Sequence, residues 1–204
     1  MRGLSGPSNA AWSWFARQAA IGPSSRRARR FAAFGGGSGI LFPTVALYGE
    51  QYIRIGSRTT IGPYATLSAG VAPGHVPERA TVVAIGDDVL IGKGSGIVGH
   101  LSVEIGDGVF TGHHVYITDA NHGYEDVALS IGRQFAEPRP VVVGPGSWLG
   151  HGSVVLPGAS IGEHVVIGAG AVVSGEIPSF TVAVGNPARV VRAYDERTGK
   201  WGSV

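Results

Sequence analysis

A repeat with a period of six residues dominates the hydrophobic pattern of this 204-residue chain. Nine of the pairs in which an aliphatic residue precedes glycine mark this repeat, and six of the eight intervals between successive members of this set are multiples of six. The pairs begin at Ile55, Ile61, Ile85, Ile91, Ile105, Val143, Leu149, Ile161 and Ile167. Neither the 3.6-residue period of an amphipathic helix nor the two-residue alternation of a half-buried strand fits this spacing.

The six-residue period predicts a solenoid of short parallel strands. The aliphatic residue of each repeat is expected to point into a narrow core, while glycine and its small neighbours turn a corner. Three such sides make one triangular coil of about 18 residues, and stacked coils pair their strands in parallel. The chain is therefore predicted to be all-β, with a column of isoleucine, valine and leucine as its core.

The repeat also divides the chain. Residues 1–39 are predicted to be a basic, aromatic-containing helical segment that ends in a flexible glycine-rich joint. Residues 40–192 form the predicted solenoid. Residues 193–204 are predicted to be a polar C-terminal tail. The repeats are interrupted at about 69–84 and again at 118–141. The second interruption is crowded with polar side chains, and long loops inside a compact repeat are usually functional.

Composition and charge exclude several classes of protein. The absence of cysteine removes disulfides, thiolate metal sites and a cysteine nucleophile, and it fits a cytoplasmic protein. No apolar run approaches the ~20 residues of a membrane span, and Arg17 and Gln18 interrupt the only candidate secretory signal. The net charge is +2, but residues 1–30 carry six arginines and no acid, so the remainder is acidic. We therefore expect no nucleic-acid partner.

Several ordered motifs resemble the hexapeptide-repeat acyltransferases typified by the maltose and galactoside O-acetyltransferases. They lie between about residues 85 and 195, at 105–109 (IGDGV), 116–122 (YITDANH), 147–150 (SWLG), 167–173 (IGAGAVV) and 185–192 (GNPARVVR). The resemblance implies a left-handed parallel β-helix, transfer of an acetyl group from acetyl-CoA to a sugar or glycoconjugate hydroxyl, and a homotrimer with active sites shared between neighbouring chains.

The same resemblance implies that His122 is the general base. The chemistry supports this independently, because an acceptor hydroxyl must lose its proton as it attacks a thioester, and an imidazole with a pKa near about 6.5 suits neutral pH. Either Asp119 or Glu125 could orient the ring by accepting its second N–H. The transfer is expected to be direct, within a ternary complex.

Seven further residues match positions that bind coenzyme A in the family. Arginine suits the coenzyme's phosphates because its guanidinium presents a fork of donors. A tryptophan packs near the thioester in relatives, and small residues contact the pantetheine arm. The matching residues here are Arg189, Arg192, Trp148, Ala169, Ser174, Gly175 and His151, the last at a position where relatives often carry serine.

The acceptor and the reaction class remain open on sequence alone. Gly92 and His100 stand where the maltose and galactoside enzymes have acceptor-binding Asn and Asp, so the acceptor must differ. An amino sugar, an amino acid or a xenobiotic would make the enzyme an N-acetyltransferase. A metal hydratase similar to the γ-carbonic anhydrases requires two histidines five residues apart, which this chain lacks, so no metal is expected. A non-catalytic scaffold is the third class.

The N-terminal segment permits two interpretations. Its aromatic residues Trp12, Trp14, Phe15, Phe31 and Phe34 are interleaved with arginines. They could cap the open end of the solenoid, which would otherwise expose its core. They could also form a peripheral contact with the inner face of the membrane, where basic and aromatic residues bind together.

Overall fold

The computed structural model describes residues 7–204. The chain begins with helix α1 (Pro7–Ala19) and then forms 22 short strands within the described residues. Arg2, one of the six N-terminal arginines, lies outside them. One-turn 3-10 helices occur at Ala28–Arg30, Glu50–Tyr52 and Ile131–Arg133.

The strands form three sheets, and each coil contributes one strand to each sheet in turn. Sheet 1 contains β1 (Ala33–Phe34), β4 (Ile53–Ile55), β7 (Val83–Ile85), β10 (Val103–Ile105), β13 (Val141–Val143), β16 (Ser160–Ile161) and β19 (Glu176–Ile177). Sheet 2 contains β2 (Gly39–Ile40), β5 (Thr60–Ile61), β8 (Leu90–Ile91), β11 (Phe110–Thr111), β14 (Trp148–Leu149), β17 (Val166–Ile167) and β20 (Thr181–Val184), followed by β21 (Arg189–Asp195) and β22 (Lys200–Ser203). Sheet 3 contains β3 (Ala46–Tyr48), β6 (Thr66–Ala69), β9 (Gly96–Gly99), β12 (Tyr116–Thr118), β15 (Val154–Val155) and β18 (Val172–Val173).

All pairings within the coils are parallel, and the architecture is that of a left-handed β-helix. The first corner joins sheet 1 to sheet 2, the second joins sheet 2 to sheet 3, and the third leads from sheet 3 to the next coil. Corresponding aliphatic residues stack in register, as Ile61 does on Ile91 and Leu149 on Ile167, and all four are buried. The glycine after each aliphatic residue lets adjacent corners approach closely: a Cβ on Gly92 would collide with the Gly112 carbonyl.

The first coil begins earlier than the predicted boundary at residue 40. Strand β1 already pairs with β4, and Ala33 lies opposite Arg54. The glycine-rich stretch, expected to be a flexible joint, is the first corner of this coil: Gly37 has φ +74°, and the Gly36 carbonyl accepts a hydrogen bond of 2.9 Å from the Arg58 N–H. Glycine is needed here for a tight turn in the left-handed region.

The C-terminal residues also differ from expectation. Residues 193–204 were predicted to be a polar tail, but β21 and β22 form an antiparallel hairpin that extends sheet 2. Its aromatic residues explain the difference, because Trp201 stacks on His164 with ring centroids 6.4 Å apart and lies 5.6 Å from Tyr194. The hairpin therefore covers apolar surface at the last coils of the solenoid.

Candidate active site

The two long interruptions of the repeat leave the solenoid at the same corner. One follows β6 and the other follows β12, and both lie at the third corner. The coil between them turns this corner with only residues 100–102. The second loop returns to where it started, because the Arg139 N–H donates to the Asp119 carbonyl at 2.8 Å. Both loops thus start from the regular coils at the third corner, with the short turn at residues 100–102 between them. We call these coils and that turn the wall.

Asp119 holds that short turn. Its side chain is fully buried (0% exposed), and its carboxylate accepts hydrogen bonds from the backbone N–H groups of His100, Leu101 and Ser102 at 2.7, 2.7 and 2.6 Å. These three charge-assisted hydrogen bonds hold the carboxylate against the turn and away from the loop above it. The prediction that Asp119 orients His122 is therefore wrong: the residue braces the turn beneath the loop.

His122 is oriented by a backbone carbonyl. Its Nδ1 lies 3.0 Å from the Gln134 carbonyl oxygen, and its ring packs against Phe135 with centroids 5.9 Å apart. A carbonyl can only accept, so Nδ1 must carry the hydrogen. In the neutral ring this leaves the lone pair on Nε2. The same carbonyl also accepts from the Gly123 N–H at 3.2 Å.

The side chain of Gln134 fastens the loop around this histidine. Its Nε2 donates to the carbonyls of Asp126 and Leu129 at 2.9 and 3.0 Å, and its Oε1 accepts from the Asp126 N–H at 3.1 Å. Gln134 is one of the polar side chains that the sequence places in this loop, but sequence reasoning gave it no role, and no signal pointed to its carbonyl, because every residue has one. Its side-chain amide bonds to the backbone groups of Asp126 and Leu129, and only the folded loop shows that these groups lie within reach.

Glu125 is the second carboxylate predicted to orient His122, and it does not contact the ring either. Its Oε2 accepts from the Tyr124 N–H at 2.9 Å. This backbone hydrogen bond, together with one from its own N–H, lowers the pKa of the Glu125 carboxyl. The side chain is exposed and forms a local turn, so this prediction is also corrected.

His122 lines a cavity of about 400 Å³ on the outer face of sheet 3, together with His100, Tyr116 and Thr118. A second cavity of about 440 Å³ lies between the two long loops. His100, Asn121 and Phe135 line both, so the two cavities adjoin. Burial lowers the pKa of His100, opposed by the nearby Asp119 carboxylate and aided by His75 and His122. A larger groove on sheet 1 has no histidine in its lining and lacks this chemistry.

The residues predicted to bind the coenzyme fall into four places. Trp148 lies half-exposed on the outer face of β14, with its ring 6.3 Å from that of Phe110. His151 and Ala169 are at the second corner, where the His151 ring meets His114 edge-on at 5.6 Å. Ser174 and Gly175 are at the third corner, and Arg189 and Arg192 are on β21. Within one chain, sheet 3 separates the second-corner residues from His122.

Over residues 7–204, no group of three or more His, Cys, Asp or Glu side chains is arranged to hold a metal ion. None of the helices in that range is long and apolar enough to span a bilayer.

Comparison with known proteins identifies the repeat. The family model described as bacterial transferase hexapeptide (six repeats) matches residues 140–175, and the one described as hexapeptide repeat of succinyl-transferase matches residues 82–118. A protein of Mycobacterium tuberculosis named as a probable acetyltransferase is 39% identical over 124 residues, which are 58% of this chain and 41% of that protein.

Two Escherichia coli proteins are also similar. One, named as a lipopolysaccharide biosynthesis O-acetyl transferase, is 37% identical over 59% of this chain and 65% of its own length. Galactoside O-acetyltransferase is 28% identical over 74% of this chain and 69% of its own. The chain thus spans less than two thirds of the length of the first two relatives.

Solved structures agree on the fold. AntD, an N-acyltransferase from Bacillus cereus solved with dTDP-4-amino-4,6-dideoxyglucose and coenzyme A, superposes with a TM-score of 0.70 at 17% identity, over 88% of this chain and 92% of that one. The identity is low enough that this likeness shows the fold alone. Together with the repeat motifs and the coils described above, these matches show that the chain contains hexapeptide repeats folded as a left-handed β-helix, and that it is similar to acetyltransferases built on this repeat.

Proposed function

We propose that this protein transfers an acetyl group from acetyl-CoA to a hydroxyl of a sugar or glycoconjugate. The observation that carries the proposal is the hydrogen bond from Nδ1 of His122 to the Gln134 carbonyl. In the neutral ring this bond leaves the lone pair on Nε2, and His122 lines a cavity beside sheet 3. The named O-acetyltransferase relatives support the reaction class and the acceptor. The predicted cytoplasmic location remains a prediction.

In the proposed reaction, Nε2 of His122 takes the proton of the acceptor hydroxyl as its oxygen attacks the thioester carbonyl. The resulting oxyanion is held by backbone N–H groups. Collapse of the tetrahedral intermediate breaks the carbon–sulfur bond, and the imidazolium gives its proton to the departing coenzyme A thiolate, which restores the neutral ring. The Gln134 carbonyl favours this cycle because it accepts a hydrogen bond from Nδ1–H throughout.

The acceptor would occupy the cavity between the two long loops. Its lining combines apolar residues with the charged Glu78, Arg79 and Glu137, and His100 connects it to the cavity of His122. Such a mixture suits a sugar, whose ring has apolar faces and hydroxyl edges. A product screen with acetyl-CoA against sugars, amino sugars and amino acids decides between oxygen and nitrogen as the acceptor atom.

We also propose that Trp148, His151, Ala169, Ser174, Gly175, Arg189 and Arg192 bind the coenzyme, as the family resemblance implies. Because sheet 3 lies between the second-corner members and His122, a neighbouring copy would complete each site. The long loop supports this, since it exposes five large apolar side chains: Tyr124, Val127, Leu129, Ile131 and Phe135. A homotrimer is expected, and a sedimentation mass of a single 21.0 kDa chain at micromolar concentration would contradict it.

The test of the function is His122→Ala. We expect turnover to fall by about 10² to 10⁴, because the change removes proton transfer. The Kd for coenzyme A, measured by titration, should stay close to that of the parent. His164→Ala is the control, since this ring packs against the C-terminal hairpin rather than in the cavity. Near-parental turnover of His122→Ala, or no binding of coenzyme A by the parent, overturns the proposal.

A further inference from the structure

The N-terminal segment has two parts with different environments. In the part after α1, Ile21 forms an antiparallel bridge with Ile40, and Ala28 and Phe31 are buried in the core. This part covers the first coil, as one of the two interpretations of the sequence predicted. The aromatic residues of α1 lie outside this buried part and keep exposed surface that is available for another role.

Helix α1 exposes large aromatic side chains. Trp12, Trp14 and Phe15 are 56%, 60% and 47% exposed. Trp12 and Phe15 rest against Phe42 of the first coil with ring centroids 6.1 and 5.3 Å away. The neighbouring Leu41 and Val45 are exposed as well. We call the side chains of Trp12, Phe15, Leu41 and Val45 the aromatic patch; Trp14, two residues after Trp12, lies on another side of the helix. Exposed apolar surface of this kind marks an interaction site.

The charged residues of the segment that carries this patch, residues 1–49, are all basic. Glu50 is the first acidic residue of the chain, and it is buried (3% exposed). Its carboxylate is engaged by Arg27 and Arg30 at 3.5 and 3.7 Å. Arg17, Arg26 and Arg29 are exposed, and none of them forms an ion pair with any residue that the structure describes.

We propose that the aromatic patch and these three arginines bind the surface of an anionic lipid membrane. Tryptophan is suited to the lipid–water interface, and each basic residue near an anionic surface strengthens binding. A second copy of the same face is disfavoured, because it would oppose arginines to arginines with no acid available in residues 1–49. The positive charge thus favours a negatively charged partner, and the exposed aromatic rings favour a partner that also offers apolar surface.

The test is cosedimentation of the full-length protein with vesicles, which needs no catalytic readout. Binding is expected to vesicles that contain phosphatidylglycerol at low ionic strength, and not to pure phosphatidylcholine. The triple variant Arg17→Gln, Arg26→Gln, Arg29→Gln should bind roughly 100-fold more weakly, since each arginine contributes about fivefold. Replacing both aromatic residues of the patch, Trp12 and Phe15, with alanine should also abolish sedimentation.

The matched control is Arg27→Gln with Arg30→Gln, which removes arginines from the same stretch of sequence. Because these two neutralise the buried Glu50, the main expected result is a lower melting temperature, with vesicle binding reduced less than in the triple arginine variant. Absence of binding by the parent at low ionic strength overturns the proposal. The proposal is also overturned if the aromatic variant binds vesicles as tightly as the parent. If the parent does not bind vesicles and the aromatic variant loses oligomeric mass, the patch is instead an interface between copies of this chain.

Discussion

The coils and the loop at 119–140 satisfy their backbone groups in different ways. In the coils, each strand bonds to the next coil: the Gly112 N–H donates to the Leu149 carbonyl at 2.8 Å, and the Gly150 N–H to the Ile167 carbonyl at 2.7 Å. In the loop, side chains take over this work, as Gln134 does for Asp126 and Leu129. The coils are therefore specified by a repeating backbone pattern, and the loop by individual side chains.

This difference separates stability from chemistry. A coil corner can change its exposed residue with little consequence, because neighbouring backbones hold the corner in place. A loop residue with three side-chain bonds cannot be replaced without loosening the segment that carries His122. Asp119 belongs to both regions, since it begins the loop in sequence but braces the wall in space.

The largest effect that sharpens this comparison is expected for Asp119→Asn. Asparagine keeps one acceptor oxygen, but its amide nitrogen would face a backbone N–H, so at least one buried donor loses its partner. The cost is expected to be about 3 kcal/mol, which lowers the melting temperature by roughly 6 to 12 °C in a chain of this size. Thermal unfolding followed by circular dichroism measures it.

Asp107→Asn is the matched control for that change. Asp107 accepts a single backbone hydrogen bond, from the Asp87 N–H at 2.8 Å, and it is exposed at an ordinary corner. Asparagine can accept the same bond, so the melting temperature should not change measurably. If Asp119→Asn melts with the parent but loses turnover at low temperature, Asp119 acts in catalysis, and the role assigned to it here is wrong.

A smaller effect, confined to the loop, is expected for Gln134→Ala. The Gln134 carbonyl remains, so His122 keeps its partner, but the three side-chain bonds that close the loop are lost. We expect kcat to fall about tenfold because the base is less well positioned, with the KM for acetyl-CoA and the melting temperature nearly unchanged. Steady-state kinetics measures this split between kcat and KM.

Two further variants test whether the side-chain hydrogen bonds of Gln134 are what positions the loop. Gln134→Glu retains the oxygen that accepts from Asp126 but loses the donors to Asp126 and Leu129, so its kcat should be intermediate. Arg133→Ala changes the adjacent exposed residue, for which no side-chain hydrogen bond is found among the described residues, and should behave as the parent. Equal loss of kcat in Gln134→Ala and Arg133→Ala would show that Gln134 has no special positioning role.

The sequence predicted the coils well because their determinant is local and repeated. The aliphatic–glycine pairs located the strands of sheets 1 and 2, and the family resemblance supplied the handedness. The repeat also holds a polar residue in its core: Thr111 is buried, and its hydroxyl accepts from the Gly92 N–H at 2.8 Å. The ends were predicted less well, because Trp201 and Tyr194 meet their partners only after the last coil has formed.

The site was predictable in its position and not in its contacts. The interruption of the repeat located the loop, and the matched motif located His122 within it. Spacing alone could not show that Asp119 points into the wall, since that depends on the turn at residues 100–102 one coil away. It also could not show that a carbonyl rather than a carboxylate faces Nδ1, because side-chain chemistry carries no information about which backbone groups meet.

The smallest expected effect concerns His100, on the wall between the two loops. Burial lowers the pKa of His100 in the folded protein, with further lowering from His75 and His122 and an opposing contribution from Asp119. The unfolded chain, in contrast, takes up a proton near the ordinary value of about 6.5. As the pH falls through that value, the unfolded state binds the proton first, so this contribution to stability is present above about pH 6.5 and is lost below it.

His100→Gln removes the linkage between the protonation of residue 100 and folding. The melting temperature of the parent should therefore fall relative to that of the variant as the pH is lowered from about 7.5 to about 5.5. The difference should be small, because His100 is only partly buried. A constant difference across this range would show that the wall does not hold His100 in its neutral form.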